Sequence, residues 1–320
     1  MKKNIQLYLI SGFLGSGKTT FLKQLLEQSS RKVGVIVNEF GSVGIDGRLL
    51  QKEDLQMVEI NNGSIFCACL KGGFVKTLVA FLEKPIDVLF IEASGMADPS
   101  SMKNLLEQLT VLLDKNSEIN QQYEYKGSIC LVDAVRFEDF CEMFQPVTNQ
   151  VRNSSLLIVN KVDEVSEVKL EKLHMKLSQL NNKAHVYETT FGQMPIEILD
   201  SKVSPDIVLD EQSTNTISNR PKSYTIQMGD MYDIEKMKDF SLELANDVIR
   251  FKGFFKTIEG EIAHADCVGD YIKIDTINRN EIKLGNCYEI VLIGRSGAEY
   301  ADRIKQKWSK YFKEKALCLK

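Results

Sequence analysis

Eight residues near the start of the chain, Gly12-Phe13-Leu14-Gly15-Ser16-Gly17-Lys18-Thr19, fit the spacing G-x-x-x-x-G-K-[ST]. Their types suit one chemistry, the grip of a polyphosphate. Small residues from Gly15 to Thr20 let backbone N–H groups turn inward around phosphate oxygens, and the N-terminus of a following helix adds a favourable dipole. Lys18 then reaches the outer phosphates, and the Thr19 hydroxyl holds Mg²⁺. The apolar run Ile5-Gln6-Leu7-Tyr8-Leu9-Ile10 precedes the turn, and Phe21, Leu22, Leu25 and Leu26 follow it at helical spacing. That is the strand–loop–helix setting the pattern requires, and it predicts a nucleoside triphosphate site with Gly12, Gly15, Ser16, Gly17, Lys18, Thr19 and Thr20 around the phosphates.

A second set of residues bears on the base. Asn160-Lys161-Val162-Asp163 follows the apolar segment 155–159. A carboxylate at Asp163 can accept hydrogen bonds from guanine N1–H and the exocyclic amine, which adenine does not offer in that arrangement. A site built on such bonds rejects the wrong base, because its polar group is left unpaired. The alternative is a chance match in a polar loop. Between the two sets, Asp87-Val88-Leu89-Phe90-Ile91-Glu92-Ala93-Ser94-Gly95 is an apolar strand ending in an acid and a glycine. It reads as a Walker B segment, with Glu92 acting on Mg²⁺ directly or through water and the Gly95 N–H sensing the γ-phosphate. A buried strand that merely ends in a turn is its bland counterpart. Asn38-Glu39-Phe40-Gly41, with Gly44 and Asp46 after it, suits a loop that answers to Mg²⁺ and the γ-phosphate. Asp133 reads as a helix cap for a segment starting at Ala134 or Val135. No switch residue clearly supplies a water-orienting glutamine, so turnover is expected to be slow unless a partner or a dimer completes the site.

Positioning these loops takes an α/β scaffold. Candidate strands at 4–10, 32–38, 86–92, 128–133, 155–160 and 183–187 alternate with helix-like stretches such as 18–29, 99–113 and 166–179. That alternation predicts a P-loop NTPase domain with a largely parallel sheet over 1–209, in which 114–127 reads as a polar surface loop. Residues 210–221 are polar and aperiodic, the best linker candidate. Beyond them, 222–320 reads as a small α+β domain: a strand near 223–228, a helix near 233–247, three strands between 249 and 294, and a last helix near 298–314. That last helix carries Arg303, Lys305, Lys307, Lys310, Lys313 and Lys315, with Ile304, Trp308 and Phe312 at helical spacing. It is expected to dock by its apolar stripe and leave a solvated basic face; a docking surface for an acidic client is the sharper alternative.

The chain has 320 residues, 43% of them hydrophobic, and a net charge of −4, which argues against nucleic acid as the main partner. No stretch approaches the roughly 18–20 apolar residues of a membrane span. Seven scattered cysteines do not resemble a secreted disulfide framework, so the cytoplasm is the expected compartment. Cys130, inside a strand, reads as core. His174, His185 and His264 are isolated and read as structural, and His264 and Cys267 face opposite sides of any strand that holds both.

Taken together, GFLGSGKTT, NEFGSVGID, EASGMADP, VDA and NKVD resemble the CobW/HypB/UreG family of metal-centre GTPases, and within it the CobW-like branch. Val248-Ile249-Arg250-Phe251-Lys252-Gly253-Phe254 is similar to the R-x-K-G-F segment of CobW-like C-terminal domains. The resemblance implies a GTPase whose nucleotide state gates delivery of a metal or metallocofactor to a client metalloprotein, with GTP and Mg²⁺ as its working pair. It also implies a Cys-x-Cys-Cys motif that binds Zn²⁺ or Co²⁺. Here the aligned segment is Asn62-Gly63-Ser64-Ile65-Phe66-Cys67-Ala68-Cys69, in which Cys67 alone occupies a family position and Cys69 is an extra thiol. Two thiolates need further ligands for a tetrahedral site, from Glu39 or from a matching pair on a second subunit of a homodimer. Otherwise they are two ordinary reduced cysteines. Two rival functions stay open: a GTPase chaperone that reactivates a metalloenzyme without carrying metal, and a small-molecule kinase built on the same loop.

Overall fold

Aliphatic and β-branched runs form the central strands of the first unit because both of their faces are covered. The computed structural model describes residues 3–38, 56–60, 71–97, 99–114, 121–205, 222–245, 247–269, 271–277, 288–294, 298–312 and 318–319. The segment carrying Glu39, Gly41, Gly44, Asp46, Cys67 and Cys69, and the expected linker, lie outside them. The described residues fall into two compact units, one holding 3–205 and the other 222–319.

In the first unit, β1 (Lys3–Gly12), β2 (Val33–Asn38), β3 (Gln56–Ile60), β4 (Val88–Glu92), β5 (Gln121–Asp133), β6 (Leu156–Asn160) and β7 (His185–Thr189) form one sheet in the order β3-β2-β4-β1-β5-β6-β7. Every pairing is parallel. All five residues of β4 and of β6 are buried, as expected of parallel strands sandwiched between helices. Successive residues of β1 point to opposite faces. Tyr8 and Ile10 pack with Phe21, Leu22 and Leu25 of α1 (Lys18–Gln28). Leu7 and Leu9 pack with Phe74 and Leu78 of α2 (Lys71–Leu82) and Leu105 of α3 (Met102–Asp114). Because the strands run the same way, the loops leaving β1, β4, β5 and β6 collect at one edge, where ligands of such sheets bind.

Two expectations for this unit need correction. Residues 121–127 are not loop: β5 begins at Gln121 and pairs with β1 from Lys3 onward, with a bulge opposite Leu7/Tyr8. Tyr123 and Tyr125 alternate with Gln122 and Glu124, so a half-polar strand hid a two-residue period, and the Tyr123 hydroxyl is held by Leu78 O at 2.7 Å. Nor does Asp133 cap a helix. Its Oδ1 accepts from Val135 N at 2.9 Å, closing a side-chain turn, and α4 (Phe137–Met143) starts later with Arg136 as its cap.

The second unit is a mainly antiparallel sheet in the order β12-β11-β10-β13-β8-β14. Its strands are β8 (Lys222–Gln227), β10 (Val248–Thr257), β11 (Ile262–Val268), β12 (Tyr271–Ile277), β13 (Glu289–Gly294) and β14 (Cys318–Leu319), with β9 (Met231–Tyr232) parallel to β10. Among the described residues the stretch 248–294 holds four strands, not three, because the turn around Gly269 splits one apolar stretch into β11 and β12. Phe251, Phe255, Ala265 and Leu292 pack against Met237, Phe240 and Leu244 of α8 (Ile234–Leu244), together with Ile304 and Trp308 of α9 (Ala298–Tyr311). The basic residues of α9 are partly used inside this unit. Asp247 accepts from Arg303 at 3.0 Å and Lys307 at 2.5 Å, and Glu243 accepts from Lys310 and the Tyr311 hydroxyl, each at 2.6 Å.

Strand alternation places Cys267 in the core and His264 on the opposite face of β11, its ring 4.8 Å from that of Phe254. Burial, and then the Lys252 charge, push the His264 pKa down to about 4. An unfolded histidine titrates near 6.5, so the unfolded chain binds the proton first and stability is lost as pH falls from about 6.5 to about 4. We expect urea unfolding to show a loss of roughly 3 kcal/mol across that window. His264→Leu should flatten that stretch; an equal slope in parent and variant would assign the loss elsewhere.

Candidate nucleotide site

The phosphate loop is shaped by backbone that L side chains avoid. Gly12, Gly15 and Gly17 have φ of 137°, 78° and 99°. Gly17 is the left-handed residue from which α1 starts, and a Cβ there would run into the Asn160 amide nitrogen. Within the loop, Lys18 is 7% exposed and donates to Gly12 O at 2.9 Å and Phe13 O at 3.1 Å. The Ser16 hydroxyl donates to Phe13 O at 2.8 Å. Thr20, next along α1, is exposed.

Across the edge, the Thr19 hydroxyl donates to Glu92 Oε1 at 3.0 Å, joining the start of α1 to the end of β4. Glu92 is 3% exposed. Two hard oxygens at that separation, one anionic, fit the preference of Mg²⁺ for oxygen ligands.

The segment after β6 meets the same loop. Asn160 donates through Nδ2 to Ser16 O at 2.9 Å, and its Oδ1 accepts from Gly192 N at 3.0 Å. One buried amide therefore ties the phosphate loop, the β6 exit and the turn after β7 together. Lys161 has φ 65°, and its ammonium lies 2.5 Å from Asp133 Oδ2 at the end of neighbouring β5. Asp163 lies in the short 3-10 turn Val162–Glu164 and is exposed.

The sequence-predicted residues Lys18, Thr19, Glu92, Ser16 and Asn160 are thus in mutual contact or one residue apart, with Lys161 and Asp163 on the same β6 exit. Gly95, just after β4, abuts the loop at Leu14. Sequence reasoning missed Asp133 as the partner of Lys161; the adjacency of β5 and β6 was the signal, since it sets the two strand ends side by side. It also missed the Gly192 turn, which follows a strand edge and carries no motif of its own. Cys67 and Cys69 lie outside the described residues, and among the described residues no group of three or more His, Cys, Asp or Glu is arranged to hold a metal ion. Cys130, Cys141 and Cys267 are buried and form no disulfide.

Comparison with known proteins points to one family. The model of the CobW/HypB/UreG nucleotide-binding domain matches residues 6–188. The chain is 31% identical over 280 residues to the zinc chaperone YjiA of Escherichia coli (strain K12), covering 80% of this chain and 83% of that protein. It is 26% identical over 288 residues to the zinc chaperone CobW of a Sinorhizobium species, covering 81% and 78%. Among solved structures, the Zn(II)-bound YjiA GTPase from E. coli is similar at 26% identity with a TM-score of 0.46, covering 96% of this chain and 99% of that one. Among the described residues no helix is long and apolar enough to cross a membrane.

Proposed function

The chain belongs to the CobW/HypB/UreG family, and from that premise we propose that it is a guanine-nucleotide switch whose GTP cycle gates delivery of a metal ion to a client metalloprotein. The observation that carries the reading is the Asn160 amide. By bonding Ser16 O at 2.9 Å it seats the base-reading segment on the phosphate loop, so that one nucleotide spans both.

In this reading the loop N–H groups from Gly15 to Thr20 bind the phosphates, and Lys18 turns its ammonium from the loop carbonyls to the outer phosphate oxygens. Thr19 Oγ1 and Glu92 would hold Mg²⁺, whose charge would offset that of the phosphates. Asp163 reads guanine N1–H and the exocyclic amine. Asp133 holds the Lys161 chain beside the base, and Gly95 N–H meets the γ-phosphate. Hydrolysis to GDP and phosphate is slow, for want of a water-orienting glutamine, and releases the switch loops as a timer.

The cargo is zinc, on the support of two relatives named as zinc chaperones; cobalt is the second ion that two thiolates would accept. Cys67 and Cys69 are its proposed ligands, completed by Glu39 or by the same pair from a second copy. Thiols kept reduced for such cargo fit a cytoplasmic protein. A metal-free GTPase chaperone that reactivates a metalloenzyme is the second reading, favoured by Ser64 and Phe66 standing where the family carries cysteines.

Zinc titration separates the two. With Mg²⁺ and a non-hydrolysable GTP analogue, zinc should bind at least tenfold more tightly than with GDP, and Cys67→Ser/Cys69→Ser should lose that gain. One zinc per two chains would identify the homodimeric site. Absence of nucleotide-enhanced binding in the parent would move the assignment to the metal-free chaperone.

A further inference from the structure

The turn after β4 is held by a side chain that none of the nucleotide motifs includes. Gln150, on α5 (Gln145–Arg152), is fully buried and spends both amide hydrogens on this turn. It donates to Gly95 O at 3.1 Å and to Ala97 O at 2.8 Å. The turn is closed by Ala97 N donating to Ser94 O at 2.9 Å, so the carbonyls of Ser94, Gly95 and Ala97 are all engaged. Gly95 lies against the phosphate loop on its other side, where a Cβ would sit 2.7 Å from Leu14 N.

The post itself is fixed. Ser154 Oγ donates to Gln150 O at 2.7 Å and lies 3.0 Å from Ser128 Oγ of β5. Asn181, at the end of α6 (Glu167–Leu180), donates to Val151 O and Ser154 O, each at 2.8 Å. A rigid helix thus grips a turn that faces the phosphates. Two buried polar atoms beside this grip, Gln150 Oε1 and Ser94 Oγ, have no hydrogen-bond partner, and native interiors rarely leave such atoms unpaired without a use.

We infer that Gln150 is a positioning residue: by fixing the peptide planes around Gly95 it aims the Gly95 N–H at the γ-phosphate, and so gives the site its preference for GTP over GDP. The inference rests on the guanine-nucleotide reading above. GDP has no γ-phosphate and draws nothing from this aim, so the effect is confined to the triphosphate state.

Gln150→Met keeps the length of the side chain and removes both donors. Affinity for a non-hydrolysable GTP analogue with Mg²⁺ should fall about tenfold, while GDP affinity stays within about twofold. A purely structural role would lower both together or leave their ratio unchanged, and either result overturns the inference. Gln150→His keeps one N–H donor and should give an intermediate ratio; if Gln150→Met does not fold, an undiminished GTP preference in Gln150→His overturns the inference instead. The two readings fail separately. A parent that binds no guanine nucleotide sinks both, whereas a parent that prefers GTP beside a variant that does so equally sinks this one alone.

Discussion

Asp163→Asn should weaken GTP binding by about two to three orders of magnitude and admit xanthosine triphosphate in its place. A carboxylate that accepts from both N1–H and the exocyclic amine makes two charge-assisted bonds, each worth about 1.5–3 kcal/mol. The asparagine amide offers one acceptor and one donor, which clashes with the guanine amine and matches the carbonyl that xanthine carries there. The exposed setting of Asp163 in its 3-10 turn leaves the fold indifferent to the change, so thermal stability should hold while base preference inverts. Competition titrations with GTP, ATP and XTP on parent and variant measure this. A parent that prefers ATP, with affinity untouched by Asp163→Asn, would transfer the chain to the small-molecule kinase class.

Lys18→Met should abolish nucleotide binding for practical purposes, a loss of about a thousandfold or more, while costing the nucleotide-free fold no more than about 1–2 kcal/mol. The asymmetry follows from what the ammonium does in each state. Without nucleotide, it is a buried charge held by the Gly12 and Phe13 carbonyls; burying it was itself costly, and Phe13 O keeps the Ser16 hydroxyl when it goes. With nucleotide, the same ammonium faces a multiply charged polyphosphate in a poorly solvated loop, where a unit charge pair near 4 Å is worth about 4 kcal/mol. Calorimetric titration beside thermal unfolding reads the two quantities separately. A variant that unfolds outright would assign Lys18 to the loop's structure rather than to its ligand.

What the sequence revealed follows the physics of each part. Parallel strands buried on both faces announce themselves as apolar runs, so β1, β4 and β6 and the loops that follow them were legible together with Lys18, Thr19, Glu92 and Asn160. The first half of β5 was not, because Tyr123 and Tyr125 alternate with polar residues and the strand reads as surface. Asp133 illustrates a different limit. Its position after a strand was visible, but a carboxylate at such a place can close a local turn or meet a neighbouring strand end, and only sheet order brings Lys161 to it. Gln150 was illegible for a third reason: a glutamine among the polar residues of a short helix looks solvated until the turn that buries it is in view. The basic stripe of α9 reads as solvated in the sequence, yet among the described residues Arg303, Lys307 and Lys310 turn back on Asp247 and Glu243.

The tie made by Asn160 has a kinetic corollary. Because one side chain already fastens the phosphate loop to the β6 exit and to the Gly192 turn, an arriving nucleotide meets a cradle whose ordering was settled during folding. Capture should therefore run close to the encounter rate, and slow hydrolysis with product release, rather than the speed of arrival, should set how long each round of the cycle lasts.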